Sequence, residues 1–176
     1  MDQNSKAALA ASIEQFHLPA YENIPNVGLY LEQTTRFIAD YLAPLENITI
    51  TGSMISNYVK RGLIRNPVKK QYDREQIAYL FFIAVAKSVL SLENVQVLIT
   101  LQRNNYDSKT AYDYFSQEFQ SILQHVFGLR DTLNEVTARN PEVKTMLRNT
   151  IITVAHKVYL EKCFSILQSH KKSEDA

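Results

Sequence analysis

The segment ISNYVKRGLIRNPVKKQYDREQIAYL, residues 55–80, combines signals for helix ends with a cluster of cations. Within fifteen residues it places six cations and a single acid, Asp73, although the whole chain has a net charge of only +1. Gly62 stands where a glycine commonly ends a helix in the left-handed conformation. Asp73, followed by Gln76 three residues later, has the pattern of a capping box that begins a new helix. The stretch therefore predicts a short helix, a basic loop and a second helix.

The composition of the whole chain predicts an all-α protein. The 176 residues are 45% hydrophobic, which is enough to bury the core of one domain or of two small units. Four glycines and five prolines are few, and this scarcity favours helices over a loop-rich or all-β chain. The single cysteine, Cys163, excludes a disulfide framework and a cysteine-rich zinc site.

The N-terminal and central segments predict a soluble cytoplasmic protein with no membrane partner. The N-terminus, MDQNSKAALAASIEQF, has no basic region leading into an apolar run, as a signal peptide would. The apolar central stretch without charge, Gln76–Ala86, is far shorter than the roughly 20 residues that span a bilayer. The nearly neutral overall charge argues against a general nucleic-acid coat and leaves one local basic surface to explain.

A change in composition after residue 104 predicts two units. Residues 1–104 contain short helices around a hub that includes AYLFFIAVA, a segment apolar on nearly every face, and Ser91 is placed as a helix N-cap. Residues 105–176 contain longer helices: an aromatic-rich one closed by Gly128, a short segment ending near Val136, and a last one. Asn140 and Pro141 predict where that last helix begins.

The helix predicted over residues 51–61 has one apolar and one polar side. Met54, Ile55, Tyr58 and Val59 share the side that can pack on neighbouring helices. Small polar residues and terminal cations on the opposite side fit a DNA major groove, where hydroxyl and amide groups can bond base edges. The residues predicted to face bases are Ser53, Ser56 and Asn57. A solvated surface helix beside a charged loop is the alternative interpretation of the same pattern.

The string ISNYVKRGLI resembles the DNA-binding head of MerR-type transcription regulators. In that family an Ile-x-x-Tyr-x-x-x-Gly-Leu segment forms the recognition helix and its exit, and a basic wing ending in tyrosine follows. The resemblance covers about residues 46–101 and includes Pro67, Tyr72 and the Ser91-Leu92-Glu93 start of a further helix. The whole chain also resembles a family of small uncharacterised bacterial proteins with a MerR-like N-terminal part.

This resemblance implies a transcription regulator that binds double-stranded DNA. It implies a winged helix-turn-helix unit within residues 1–104 and a C-terminal helical bundle or dimerisation unit within residues 105–176. The basic loop 65–72 would contact the phosphate backbone. The predicted phosphate contacts are Tyr58, Lys60, Arg61, Arg65, Lys69, Lys70 and Arg74.

Some positions depart from the MerR pattern, and they leave a second function open. Ser56 stands where the family usually has arginine, Asn57-Tyr58 replaces a pair of tyrosines, and the wing is several residues shorter. A protein–protein interaction adaptor that keeps the winged fold without binding DNA is the alternative. The sequence names neither an operator nor a regulated gene.

No pattern in the chain predicts catalysis, a metal site or a cofactor. The four histidines are scattered, and none is paired with a carboxylate at the spacing of metal ligands. His156 and Cys163 are seven residues apart, but two ligands do not complete a zinc site. The glycine-rich phosphate loops and the zinc-protease and serine-hydrolase motifs are also missing. We therefore predict a protein that is not an enzyme.

The last helix carries two apolar stripes and predicts a homodimer, although a centrally buried helix would show the same pattern. One stripe runs from Val143 to Val158, and the other runs from Ile152 to Ile166. The predicted dimer contacts are Ile152, Tyr159, Cys163 and Ile166. A small apolar effector is a further candidate partner. Tyr112, Phe115 and Phe119 either line a pocket for it or pack as ordinary core.

Overall fold

The computed structural model describes residues 3–133 and 141–174, and the described chain is predominantly helical. Two-residue strands β1 (Leu29–Tyr30) and β2 (Gln71–Tyr72) pair antiparallel, with Leu29 opposite Tyr72. The described α-helices are α1 (Gln3–Ala11), α2 (Leu31–Leu42), α3 (Gly52–Lys60), α4 (Arg74–Ala86), α5 (Leu92–Asn105), α6 (Ser108–Val126) and α7 (Pro141–Glu174). This architecture confirms the predicted all-α class.

The helices begin at side chains that cap them. The Asp73 carboxylate accepts a hydrogen bond from the Gln76 N–H, and the Gln76 side chain accepts one from the Asp73 N–H, both at 3.0 Å. The Ser91 hydroxyl accepts from the Asn94 N–H in the same way at the start of α5. These reciprocal bonds satisfy N–H groups that have no partner inside a helix. The capping box and the Ser91 cap are therefore confirmed.

The last helix begins at the predicted residue. Pro141 is the first residue of α7. The predicted N-cap Asn140 and the predicted helical residue Val136 lie outside the described residues. Pro141 suits the first helical position because proline lacks the N–H that would remain unpaired there.

Helix α4 is the centre of the hydrophobic core. Every residue from Gln76 to Ala86 is buried. The Phe81 ring lies 6.0–6.1 Å from the rings of Phe37 and Tyr41 on α2 and of Tyr112 on α6. Residues on both sides of the boundary predicted near 104 thus belong to one continuous core. The two predicted units are packed together through α4.

Helix α7 packs along α6 and contacts α4, α5 and α1. Its buried residues include Ile151, Val154, Ala155 and Val158, which join the core cluster that surrounds α4. No helix in the described chain is both long enough and apolar enough to cross a lipid bilayer.

Candidate nucleic-acid interface

Helix α3 presents one buried face and one polar face. Ile55 and Tyr58 are 0% and 1% exposed and fix the helix to the core. Ser53, Ser56 and Asn57 all lie on the exposed side, as predicted from their spacing. Because positions three and four apart share a helix face, these short side chains form one surface.

The polar groups on this surface differ in their local hydrogen bonds. The Thr51 hydroxyl accepts from the Met54 N–H at 3.2 Å and lies 2.9 Å from the Ser53 hydroxyl. The Ser56 hydroxyl donates to the Gly52 carbonyl at 2.9 Å. Within the described chain, the side-chain amide of Asn57 makes no hydrogen bond. Asn57 is therefore the polar group of this surface whose donor and acceptor capacity is fully available.

The end of α3 is closed by a double hydrogen bond around Gly62. The Gly62 N–H bonds the Val59 carbonyl and the Leu63 N–H bonds the Tyr58 carbonyl, both at 3.0 Å. Gly62 has φ +75, as this helix ending requires. Arg103 on α5 then donates to the Leu63 carbonyl at 3.3 Å and lies over the Tyr79 ring, 4.4 Å from its centroid. The exit of α3 is thus held by α5.

The basic loop after α3 contains a tight hairpin with two lysines at its tip. Val68 and Gln71 exchange two backbone hydrogen bonds, of 3.1 and 2.9 Å. The residues between them, Lys69 and Lys70, have φ +51 and +65. Positive φ at both central residues is the signature of a type I′ turn, which normally contains Asn-Gly. We call residues 68–71 the hairpin.

The hairpin is fixed to the body of the protein through β1. Gln71 and Tyr72 form β2, which pairs with Tyr30 and Leu29. Gly28 lies directly before β1, and a Cβ added there would be 2.6 Å from the Gln71 Cβ. Glycine at position 28 therefore allows the two backbones to approach. The sequence predicted the loop but not this strand pairing.

Two of the predicted phosphate contacts are paired with carboxylates. Arg65 forms ion pairs with Asp73 and with Glu75, the second at 3.2 Å. Arg61 is paired with Glu93 of α5 at 3.0 Å. All these side chains are at least 39% exposed, and exposed ion pairs contribute at most about 1 kcal/mol, so a phosphate can compete for either arginine.

Arg74 and Tyr58 depart most from their predicted role. The Arg74 guanidinium donates to the carbonyls of Ile24 and Glu22, at 2.8 and 3.0 Å. It thereby holds residues 19–28, which form the linker before β1. Tyr58 is 1% exposed, and its buried hydroxyl has no hydrogen-bond partner in the described part of the chain. The phosphate contact predicted for Tyr58 is therefore wrong, because the apolar face of α3 turns its ring into the core.

Lys60, Lys69 and Lys70 form the accessible cationic part of the surface. All three are exposed, and none forms a salt bridge within the described chain. Lys60 ends α3, while Lys69 and Lys70 form the tip of the hairpin. We call the polar face of α3 together with the hairpin tip the candidate interface.

The structure places the predicted dimer residues on the protein's own core. Ile152, Tyr159, Cys163 and Ile166 are partly buried and pack against the core cluster. The Tyr159 ring lies 5.2 Å from the Phe127 ring in an edge-to-face arrangement. A different face of α7 is exposed, and its apolar residues are Leu160, Phe164 and Leu167, at 51%, 56% and 48% exposure.

Comparison with known families identifies the chain. Residues 19–115, which are 97 of the 176, match the family described as Domain of unknown function (DUF1836). The chain belongs to the DUF1836 family. In this DUF1836 protein the matched segment runs from the linker before β1 into the first turns of α6, so it contains the whole candidate interface. No curated protein and no solved structure matches the chain.

The remaining side chains of this DUF1836 protein offer no clustered metal ligands. Across residues 3–133 and 141–174, no group of three or more histidine, cysteine, aspartate or glutamate side chains is arranged to hold a metal ion. The candidate interface itself carries amide, hydroxyl and ammonium groups, from Asn57, from Ser53 and Ser56, and from the three lysines.

Proposed function

We propose that this protein is a DNA-binding transcription regulator of MerR-like type. In this proposal α3 enters the major groove and the hairpin acts as a wing on the phosphate backbone. The observation that carries the proposal is the pair Lys69-Lys70 at the tip of a tight turn in which both residues have positive φ.

The hairpin tip supports a binding role because lysine is a poor residue for that backbone. A left-handed conformation costs a residue with a side chain about 1–2 kcal/mol, which is why Asn-Gly dominates such turns. Two lysines there add strain and mutual repulsion, and neither forms an ion pair in the described chain. Strained residues concentrate at functional sites, and two projecting ammonium groups suit a polyanion.

Helix α3 supports sequence recognition beside these phosphate contacts. Its exposed face carries Ser53, Ser56 and Asn57, whose short side chains allow the helix backbone to approach base edges. The Asn57 amide can donate and accept at once, the capacity with which asparagine recognises adenine. Lys60 at the end of the same helix lies where a flanking phosphate would be.

The regulator in this proposal is a homodimer. One short recognition helix contacts few bases, and a two-fold dimer reads two half-sites. The face of α7 formed by Leu160, Phe164 and Leu167 has the spacing of one helix surface and is about half exposed. A second copy of the same face would cover it in an isologous contact.

The proposal is tested with the purified protein and fragments of its source genome in a mobility-shift assay at several salt concentrations. Selective retention of a few fragments, with affinity falling steeply as salt rises, is the expected result. Asn57→Ala should reduce discrimination at one base position by about 1–3 kcal/mol while nonspecific affinity stays unchanged. Absence of any salt-dependent DNA binding would refute the proposal.

A protein–protein adaptor is the second candidate function. Two of the arginines near the candidate interface are ion-paired: Arg61 with Glu93, and Arg65 with Asp73 and Glu75. This pairing lowers the net positive charge of the surface and so favours the adaptor. An adaptor would retain no DNA fragment, and it would instead capture a partner with an acidic surface. A Lys69→Ala, Lys70→Ala double variant would then lose the partner.

A further inference from the structure

A cavity of about 270 Å³ lies between four helices, away from α3 and the hairpin. Its walls come from α4, α5, α6 and α7, and they are mainly apolar and aromatic. Of the three aromatic residues predicted to line a pocket, Tyr112 and Phe115 are in the wall, and Phe119 belongs to the core cluster instead. Ligand sites in proteins have this character, an apolar enclosure with a few placed polar groups.

Two tyrosines of the cavity wall have hydroxyls that no described residue binds. Tyr106 and Tyr114 both line the cavity, and within residues 3–133 and 141–174 the buried hydroxyl of each has no hydrogen-bond partner. Two other tyrosines of the same wall are satisfied: Tyr112 donates to the Pro19 carbonyl at 3.0 Å, and the Tyr79 hydroxyl accepts from Gln102 at 3.4 Å. An unmet buried hydroxyl costs about 1–3 kcal/mol, so two in one cavity point to a missing acceptor.

The charge of the wall agrees with an acceptor-bearing ligand. Lys144 is the charged residue among the described lining residues, and its ammonium lies over the Tyr114 ring, 4.7 Å from the centroid. No carboxylate belongs to the described lining, and Glu118, the carboxylate whose charge adds to the raised pKa of Tyr114, is ion-paired with Arg148 at 2.9 Å. Burial raises the pKa of the Tyr114 phenol, which keeps its hydroxyl protonated and able to donate at neutral pH.

We propose that the cavity binds a small aromatic carboxylate, with the ring among the apolar side chains. The Tyr106 and Tyr114 hydroxyls are buried in this structure, so in this proposal the two side chains rotate to donate to the carboxylate oxygens. An apolar cavity of about 150 Å³ holds one benzene molecule, so the larger volume here accommodates a substituted ring. This inference is independent of DNA binding. Tyr79 also lines the cavity, and Arg103 lies over its ring. Arg103 is the residue that donates to the Leu63 carbonyl at the end of α3.

The experiment is a fluorine NMR titration of the full chain with 4-fluorobenzoate and with 4-fluorotoluene, which has the same ring without the acceptor. We expect saturable binding of 4-fluorobenzoate, about tenfold tighter than that of 4-fluorotoluene. Tyr106→Phe and Tyr114→Phe should each weaken 4-fluorobenzoate about tenfold and leave 4-fluorotoluene unchanged. Tyr30→Phe, at an exposed tyrosine on β1, is the matched control and should change neither.

A second variant separates the cavity from the rest of the surface. Ala111 lines the cavity, and Ala111→Leu should fill it and abolish binding of both compounds while circular dichroism shows an unchanged helical spectrum. Binding that survives this substitution would place the ligand elsewhere and overturn the proposal. Equal affinity for the two compounds, or no saturable binding of 4-fluorobenzoate at millimolar concentration, would overturn it as well.

Discussion

Lys162 on α7 donates to Glu46, with 2.7 Å between Nζ and Oε1, although the two residues are 116 positions apart. The Lys162 side chain is 6% exposed, whereas that of Glu46 is 52% exposed. Glu46 lies between α2 and α3 and has φ +57, a conformation that residues with side chains seldom adopt. The ion pair therefore fastens the C-terminal helix to the segment that leads into the candidate interface.

Removing either partner of this pair should have unequal effects on stability. Glu46→Gln leaves a nearly buried ammonium without its counter-charge, so the free energy of unfolding should fall by about 1–3 kcal/mol. Lys162→Met removes the charge and keeps an apolar stem, so it should cost less. Urea denaturation measures both, with Asp40→Asn, which removes the acid of the exposed Arg36–Asp40 pair on α2, as control. An unaffected Glu46→Gln protein would contradict this account.

Replacing Lys69-Lys70 by Asn-Gly separates the fold of the hairpin from its proposed function. Asn-Gly suits a type I′ turn, so the free energy of unfolding should rise by about 1 kcal/mol. The double replacement removes two phosphate contacts, which should lower the log–log salt slope of DNA binding by about 0.9 for each contact. Lys6→Ala with Lys87→Ala, at exposed lysines within α1 and directly after α4, is a control of equal charge change. A full salt slope in the Asn-Gly variant would exclude the hairpin from DNA binding.

Tyr58→Phe tests the correction made to the predicted phosphate contacts. The buried Tyr58 hydroxyl is bonded by none of the described residues, and burial raises the pKa of this phenol to about 12. Removing the hydroxyl should stabilise the fold by about 1 kcal/mol at pH 8 and leave DNA affinity unchanged. In the wild type, the stability linked to this group is present below pH 10 and is lost as pH rises towards 12. The Tyr58→Phe variant should not show this loss of stability at alkaline pH. If the variant bound DNA more weakly, the predicted contact between Tyr58 and a phosphate would be supported after all.

Gly28→Ala should displace the hairpin. The new Cβ would lie 2.6 Å from the Gln71 Cβ, so β1 and β2 must separate, at a cost of about 1–3 kcal/mol in the free energy of unfolding. Gln71→Gly in the same chain removes the opposing Cβ and should recover much of the loss. Gly52→Ala is the control, because a Cβ there meets Leu31 at an ordinary 3.4 Å. Thermal unfolding of the four proteins is the measurement, and an undisturbed Gly28→Ala midpoint would contradict the close approach.

Charges on the exposed face of α7 should dissociate the proposed dimer. Light scattering of the wild type at micromolar concentration should give about twice the chain mass of 20.2 kDa. Leu160→Glu with Phe164→Glu should give the monomer mass with unchanged helical content, since both side chains are about half exposed. Met146→Glu, at an exposed position near the other end of the helix, should leave the mass unchanged. A wild-type mass of one chain would end the dimer proposal.

Sequence alone predicted the features that depend on neighbouring residues. The capping box at Asp73, the cap at Ser91, the glycine exit at Gly62 and the start of α7 at Pro141 are each decided within a few residues. The polar face of α3 follows from helical spacing in the same way. The burial of Tyr58 was also visible in that spacing, and its phosphate role came only from the family resemblance.

Features that depend on distant residues were not predictable. The pairing of Arg61 with Glu93, the bonds of Arg74 to the linker, and the pairing of β1 with β2 join segments that are far apart in sequence. Two-residue strands carry too little pattern to be recognised. The sequence did not predict which face of α7 is exposed, because apolar residues lie on three of its faces. Packing against α6 and the other neighbouring helices determines which face remains exposed.

The burial of every α4 residue from Gln76 to Ala86 has a consequence for the synthesis of the protein. Helix α4 leaves the ribosome before α6 and α7, yet those two helices cover part of its apolar surface. In the folded protein the Phe82 ring packs edge-to-face against Phe115 of α6. Until α6 emerges, this contact cannot form, and nascent chains with exposed apolar surface aggregate readily. We expect the growing chain to depend on a chaperone between residues 86 and 141, and a fragment ending at residue 104 to accumulate in inclusion bodies.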